Sequence, residues 1–171
     1  PDYTLEEDGT LVLGPSWGSR VNDFGASWLD GVLVTDAPWR EVAEQVRRIQ
    51  FREGVTYIGS NAFRGLNSLE ELTLPDTVTE IGSQAFENCS SLDMIVSGNG
   101  LKTIGSDAFA GCDSLTGVEV PDSVTEIGDS AFGDNANLTL WCSENGTAWQ
   151  YAETNGIMAE ERIRRAVSVE V

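Results

Sequence analysis

Four segments of nearly the same wording recur along this chain: VTYIGSNAF at 55–63, VTEIGSQAF at 78–86, LKTIGSDAF at 101–109 and VTEIGDSAF at 124–132, each 23 residues after the last. A strict period constrains the fold more than any single motif, because equivalent residues in stacked units must meet equivalent neighbours. Aligning the copies puts Ile58, Ile81, Ile104 and Ile127 in one column and Phe63, Phe86, Phe109 and Phe132 in another. A unit of 23 residues cannot bury its own apolar face, since chains below about 40 residues seldom fold unaided. Stacking buries it, so the repeat predicts a solenoid with these columns as core ladders and with nearest-neighbour stability.

Within a unit, LEELTLP (69–75) has the spacing L-x-x-L-x-L. Its closing alternation predicts a short strand with Leu72 and Leu74 inward and Glu71 and Thr73 outward. Pro75 and Asp76 then end the strand in a turn. Gly59, Gly82, Gly105 and Gly128 are expected where the backbone turns sharply. SQAFENC (83–89) is expected to form one turn of helix or 3-10 helix.

Both ends predict caps. Residues 1–54 form the N-terminal one. TLEEDGTLVL alternates around Asp8-Gly9, a hairpin signal, and DAPWREVAEQV predicts a helix over 37–47 with Trp39, Val42, Ala43 and Val46 at helical spacing. Ile49 and Phe51 stand 23 residues before Leu72 and Leu74, so a half repeat follows. Trp17, Trp28 and Trp39 are expected in the cap core. The repeats fill 55–140, and 141–171 forms a C-terminal cap with a helix in GTAWQYAETNGI and an alternating tail, RIRRAVSVEV. The sequence opens on Pro1, so an upstream segment is expected.

The charge narrows the partners. The formal net charge is −18, and between Gly65 and Glu161 there are 17 acids against a single base, Lys102. Such a surface repels phosphate backbones and anionic membranes. No apolar run reaches the roughly 20 residues of a membrane span. With no histidine in the chain, Ser-His-Asp and Cys-His catalysis and most zinc sites are excluded. Phosphate-binding and nucleophile-elbow motifs are absent, and the acids do not alternate as a calcium loop requires. Neighbouring carboxylates such as Glu70-Glu71 point apart instead of converging across a cleft. The expectation is a non-catalytic protein without metal or cofactor. Cys89 and Cys112, one period apart, are expected to stack as buried free thiols.

The pattern L-x-x-L-x-L followed by P-D-[S/T]-V-T-x-I-G-x-x-A-F-x-x-C-x-x-L resembles the BspA-like branch of leucine-rich-repeat proteins over residues 46–140. SGNG at 97–100 replaces the Pro-Asp turn, Leu66 and Asn135 replace the cysteine, and LTLWC at 138–142 loosens the last strand. The resemblance implies an α/β-type solenoid, a right-handed coil of short parallel strands and short helical or 3-10 turns, capped at both ends. It also implies a bacterial cell-surface or secreted protein that binds host matrix proteins or other cells.

Two functions compete: a recognition or adhesion module with a protein partner, and a structural spacer with no ligand of its own. A monomer is expected, with weak self-association through the tail. A spacer has no need of apolar residues on the outward strand positions (the concave strands). Those positions are Arg48 and Gln50, Glu71 and Thr73, Met94 and Val96, Gly117 and Glu119, Leu140 and Cys142. Met94 and Val96 form an apolar spot between Glu71 and Glu119, the anatomy of a protein-binding patch. The candidate partner-binding residues are therefore Arg48, Gln50, Glu71, Thr73, Met94, Val96 and Glu119.

Overall fold

The computed structural model describes residues 3–14 and 17–161, and the tail RIRRAVSVEV lies outside them. The L-x-x-L-x-L segments line up as one long sheet. Its strands, numbered in chain order, are β1 (Tyr3–Leu5), β2 (Thr10–Leu13), β6 (Arg48–Gln50), β8 (Glu71–Thr73), β10 (Met94–Val96), β12 (Gly117–Glu119), β14 (Thr139–Cys142) and β15 (Met158–Glu161). The β1–β2 hairpin pairs antiparallel around Gly9, and every later neighbour is parallel.

A second parallel sheet runs behind the first. It contains β3 (Arg20–Val21), β7 (Tyr57–Ile58), β9 (Glu80–Ile81), β11 (Thr103–Ile104) and β13 (Glu126–Ile127). Its register places Ile58 opposite Ile81, Ile81 opposite Ile104, and Ile104 opposite Ile127. The sequence period is thus the pairing register itself. The result is a parallel-strand solenoid.

The phenylalanines stack between the sheets. Ring centroids are 5.3 Å apart for Phe63–Phe86 and Phe86–Phe109 and 5.6 Å for Phe109–Phe132. Burying one such ring contributes roughly 1.5–3 kcal/mol, so the column supplies on the order of 6–12 kcal/mol as an upper bound. The backbone beside the rings forms a further ladder: the amides of Phe63, Phe86 and Phe109 donate to the carbonyls of Ala85, Ala108 and Ala131. That ladder explains why SQAFENC is no regular helix turn. Its Cys89 and Ala85 amides make three-residue turn bonds, but the Phe86 amide turns outward to the next coil. Gln84 and Asn88 adopt left-handed φ values of 60° and 61°, which breaks a helical run.

The recurring glycines are needed for a different reason from a sharp turn. Gly82 and Gly105 have no left-handed φ; a Cβ on either would lie 2.5 Å from the backbone nitrogen of Ser60 or Ser83 in the preceding coil. Contact between coils, not turn geometry, selects glycine there.

The helix predicted over 37–47 is a 3-10 helix, Pro38–Gln45, with Trp39 and Ala43 buried. Trp39 stacks on Phe63 at 5.1 Å and 15°, joining the phenylalanine column as its first member. Trp17 packs edge-on against Trp39. Trp28 is not cap core: it is 72% exposed on β4 (Ala26–Leu29). That strand pairs with β5 (Val32–Thr35) in a hairpin of its own, turned at Asp30-Gly31 with φ of 49° and 84°. The Asp-Gly pair inside WLDGVL was the signal for this hairpin. At the far end, helix α1 (Thr147–Asn155) closes the array and stops at Gly156, φ 67°. Tyr151 of α1 meets Phe132 edge-on at 5.9 Å.

A candidate partner-binding face

Alternation along the long sheet sends Ile49, Leu72, Ile95, Val118 and Leu140 inward, all buried, and leaves two rows facing outward. One row runs Arg48, Glu71, Met94, Gly117, Thr139, Met158; the other runs Gln50, Thr73, Val96, Glu119, Trp141, Glu160. The structure therefore places all seven candidate residues on this face. Leu140 and Cys142 are the correction, because both are buried.

The reason is register. β12 pairs with β14 as Gly117↔Thr139, Val118↔Leu140 and Glu119↔Trp141, an offset of 22 residues. The last unit reads L-x-L-x-L-like over Leu138, Leu140 and Cys142, one residue short. A shift by one residue exchanges the two faces of a strand. Cys142 goes in and Trp141 comes out. Leu138, Leu140 and Cys142 alternate, but Trp141 between them is apolar too, so the segment alone leaves the phase open.

Electrostatics divides the face. At its N-terminal end, arginines pair with glutamates one coil on: Arg47 Nη1 lies 2.6 Å from Glu70 Oε1 and Arg48 Nε 3.3 Å from Glu71 Oε2. Arg64 and Glu87 repeat the 23-residue pairing behind the sheet at 2.6 Å, in a less exposed setting. Burial raises the Glu87 carboxyl above its ordinary range, against the opposing pull of Arg64. Exposed pairs such as Arg48–Glu71 contribute only about 0–1 kcal/mol, so they set local charge more than stability. From β8 to β15 the strands carry no lysine or arginine at all.

The centre of the face is apolar and notched. Met94 and Val96 are 54% and 50% exposed. Beside them Gly117 has no side chain, and a Cβ there would sit 3.3 Å from Nε1 of Trp141. The outcome is a depression of ≈ 460 Å³, lined by Met94, Val96, Gly117 and Trp141 together with Asp93 and Glu119 and the hydroxyl-bearing Ser97, Thr116 and Thr139.

The groups elsewhere with perturbed chemistry are structural. Cys89 and Cys112 are buried, with Sγ 3.3 Å from the carbonyls of Phe63 and Phe86, and none of the three cysteines is in a disulfide. Burial pushes the Cys89 thiol well up, which keeps it protonated and unreactive. The Tyr57 hydroxyl donates to Asp23 Oδ1 at 2.5 Å, tying the N-terminal cap to the first full repeat. Among the described residues no three His, Cys, Asp or Glu side chains converge on a metal position, and no helix is long and apolar enough to cross a membrane.

Comparison with known proteins agrees with this architecture. Residues 42–140 match a BspA-type leucine-rich repeat region in six copies. The leucine-rich repeat protein TpLRR of T. pallidum superimposes with a TM-score of 0.58 at 34% identity, over 82% of this chain and 67% of that one. One from Bacteroides capillosus gives 0.50 at 26% identity over 83% and 93%. One from Eubacterium ventriosum gives 0.59 at 21% identity, a likeness of fold alone, and the present chain spans 42% of its length. Among curated proteins none matches in sequence.

Proposed function

The chain belongs to the BspA-type leucine-rich repeat family, and we propose that it is a non-catalytic recognition module of a bacterial cell-surface or secreted protein, gripping a protein partner on the outer face of its long sheet. Bacterial leucine-rich repeat proteins are in general protein-interaction modules, which is the premise. One observation carries the placement: Met94 and Val96 stand half-exposed beside Trp141 around a notch. Apolar side chains held at the centre of a charged rim are what a binding patch needs, and a spacer gains nothing from them. Aromatic anchors such as Trp141 are the residues that most often dominate binding energy.

The test compares immobilised wild-type protein with the double variant Met94→Ser, Val96→Ser against host matrix and secreted proteins. Both side chains point outward, so the thermal melt should move little, with surface changes typically within about 0.5 kcal/mol. A partner held by the wild type and released by the variant, with the melt unchanged, supports the reading. Equal retention of every captured protein rejects this face and favours the spacer.

A further inference from the structure

We propose that Asn99 is a site of spontaneous covalent modification: its side-chain amide leaves as ammonia, and the residue becomes a mixture of aspartate and isoaspartate. Asparagine before glycine favours this reaction, because a following residue without a Cβ does not obstruct attack by its own backbone nitrogen. The chain has three such pairs, Asn99-Gly100, Asn145-Gly146 and Asn155-Gly156. Sequence makes them alike. The structure separates them.

The reaction needs an open nucleophile and an open electrophile. At the second pair the Gly146 amide donates to the Ser143 carbonyl at 3.1 Å, and Asn145 is held at a left-handed φ of 64°. At the third pair both groups are engaged: the Gly156 amide donates to the Ala152 carbonyl at the end of α1, and Asn155 Nδ2 donates to the Tyr151 carbonyl at 2.8 Å. Asn99 and Gly100 instead sit at the centre of the turn that replaces Pro-Asp, with Asn99 exposed. One hydrogen bond anchors Asn99, from its backbone amide to Asp76 Oδ1 at 3.1 Å. Among the described residues neither its side chain nor the Gly100 amide has a partner.

In the reaction the Gly100 nitrogen attacks Asn99 Cγ. The new N–Cγ bond forms as the Cγ–Nδ2 bond breaks, and the Gly100 amide proton passes through solvent to the departing ammonia. Water then opens the five-membered imide at one of its two carbonyls. Opening at Cγ gives aspartate; opening at the main-chain carbonyl gives isoaspartate, whose backbone is longer by one methylene group.

This turn tolerates a longer backbone poorly. Gly98 and Gly100 both pack on Asp76 of the preceding coil: a Cβ on Gly98 would lie 2.5 Å from Asp76 Cα, and one on Gly100 would overlap the Asp76 carbonyl oxygen. An inserted methylene group moves Gly100 off that contact and sets a new carboxylate close to that of Asp76. Array stability is built from the interfaces between neighbouring coils, so isoaspartate at residue 99 loosens the middle of the stack.

The test incubates the protein in mildly alkaline buffer, where the Gly100 amide loses its proton more readily, and maps the modified sites by peptide mass spectrometry. Asn99 should convert faster than Asn145 or Asn155 by roughly three- to tenfold, the factor set by breaking a turn hydrogen bond before attack. In urea that unfolds the chain, the three rates should converge. Asn145 or Asn155 keeping pace with Asn99 in the native protein overturns the assignment, as does a preference for Asn99 that persists unchanged in urea. Asn99→Gln, which would need a six-membered ring, should stay unmodified at that position. Protein enriched in isoaspartate should melt below freshly prepared Asn99→Asp, which carries the same charge on a normal backbone. Equal melts would overturn the loosening of the stack.

Discussion

Trp39 donates its indole Nε1–H to the carbonyl of Ala62 at 2.8 Å. In each later coil the equivalent alanine carbonyl accepts from a phenylalanine backbone amide, so a side chain stands in for the missing coil before the first repeat. The opposite end is closed in the same way, because the Phe132 amide donates to the hydroxyl of Tyr151 at 3.3 Å. Two aromatic residues thus satisfy the open ends of one backbone ladder while extending its ring column.

Trp39→Phe keeps a ring against Phe63 but leaves the buried Ala62 carbonyl without its donor. A loss of about 1–3 kcal/mol is expected from that unpaired group, read as a lower denaturant midpoint at unchanged slope. Tyr151→Phe, at the more exposed end with the longer bond, should cost less.

Phe109→Ala removes a ring stacked on both sides and is expected to cost about 3–5 kcal/mol. The same denaturant experiment checks it. A cost below about 1 kcal/mol would contradict the stack as a main source of stability.

Gly82 and Gln84 make opposite demands two residues apart. Gly82→Ala puts a methyl group against the Ser60 backbone and should destabilise by more than about 1 kcal/mol, as overpacking does. Gln84 holds a φ of 60°, where a side chain is disfavoured by about 1–2 kcal/mol, so Gln84→Gly should stabilise by roughly 0.5–1 kcal/mol once the greater backbone entropy of glycine is subtracted.

Alkaline pH should weaken the N-terminal junction. Burial, reinforced by the Asp23 carboxylate, pushes the Tyr57 phenol up to about 12 from 10.0. The folded state holds this proton more tightly than the unfolded one, so the contribution is complete below about pH 10 and is lost as pH rises through 12. The stability gap between wild type and Tyr57→Phe should narrow across that window. The Asp23 carboxyl, held low by the Tyr57 hydroxyl and the Ser60 amide, acts in the opposite sense: its contribution is present above the ordinary carboxylate range and lost as pH falls through its lowered value.

All three cysteines should be silent to a thiol reagent in the native protein and should react together on unfolding. Native reactivity at Cys142 alone would mean that β14 is turned by one residue from the register with Leu140 inward.

The period of 23 residues determined which side chains stack. Ile58, Ile81 and Ile104 and the column from Phe63 to Phe132 were legible as core, because parallel strands in register give repeated residues the same neighbours; Ile127, in the last coil, is only partly buried. The outward candidates from Arg48 to Glu119 followed from alternation alone. Sequence spacing could not place Trp39 on top of the phenylalanine column, because it stands 24 residues before Phe63 and enters from a 3-10 helix. Nor could the period show that Trp141, not Cys142, completes the outer face. Where a unit drops a residue, both phases of LTLWC offer apolar side chains to the core, and only hydrogen bonding to β12 chooses between them. Repetition specifies a structure wherever neighbours are copies; at the ends and at the shortened coil the neighbours differ, and there packing in three dimensions decided.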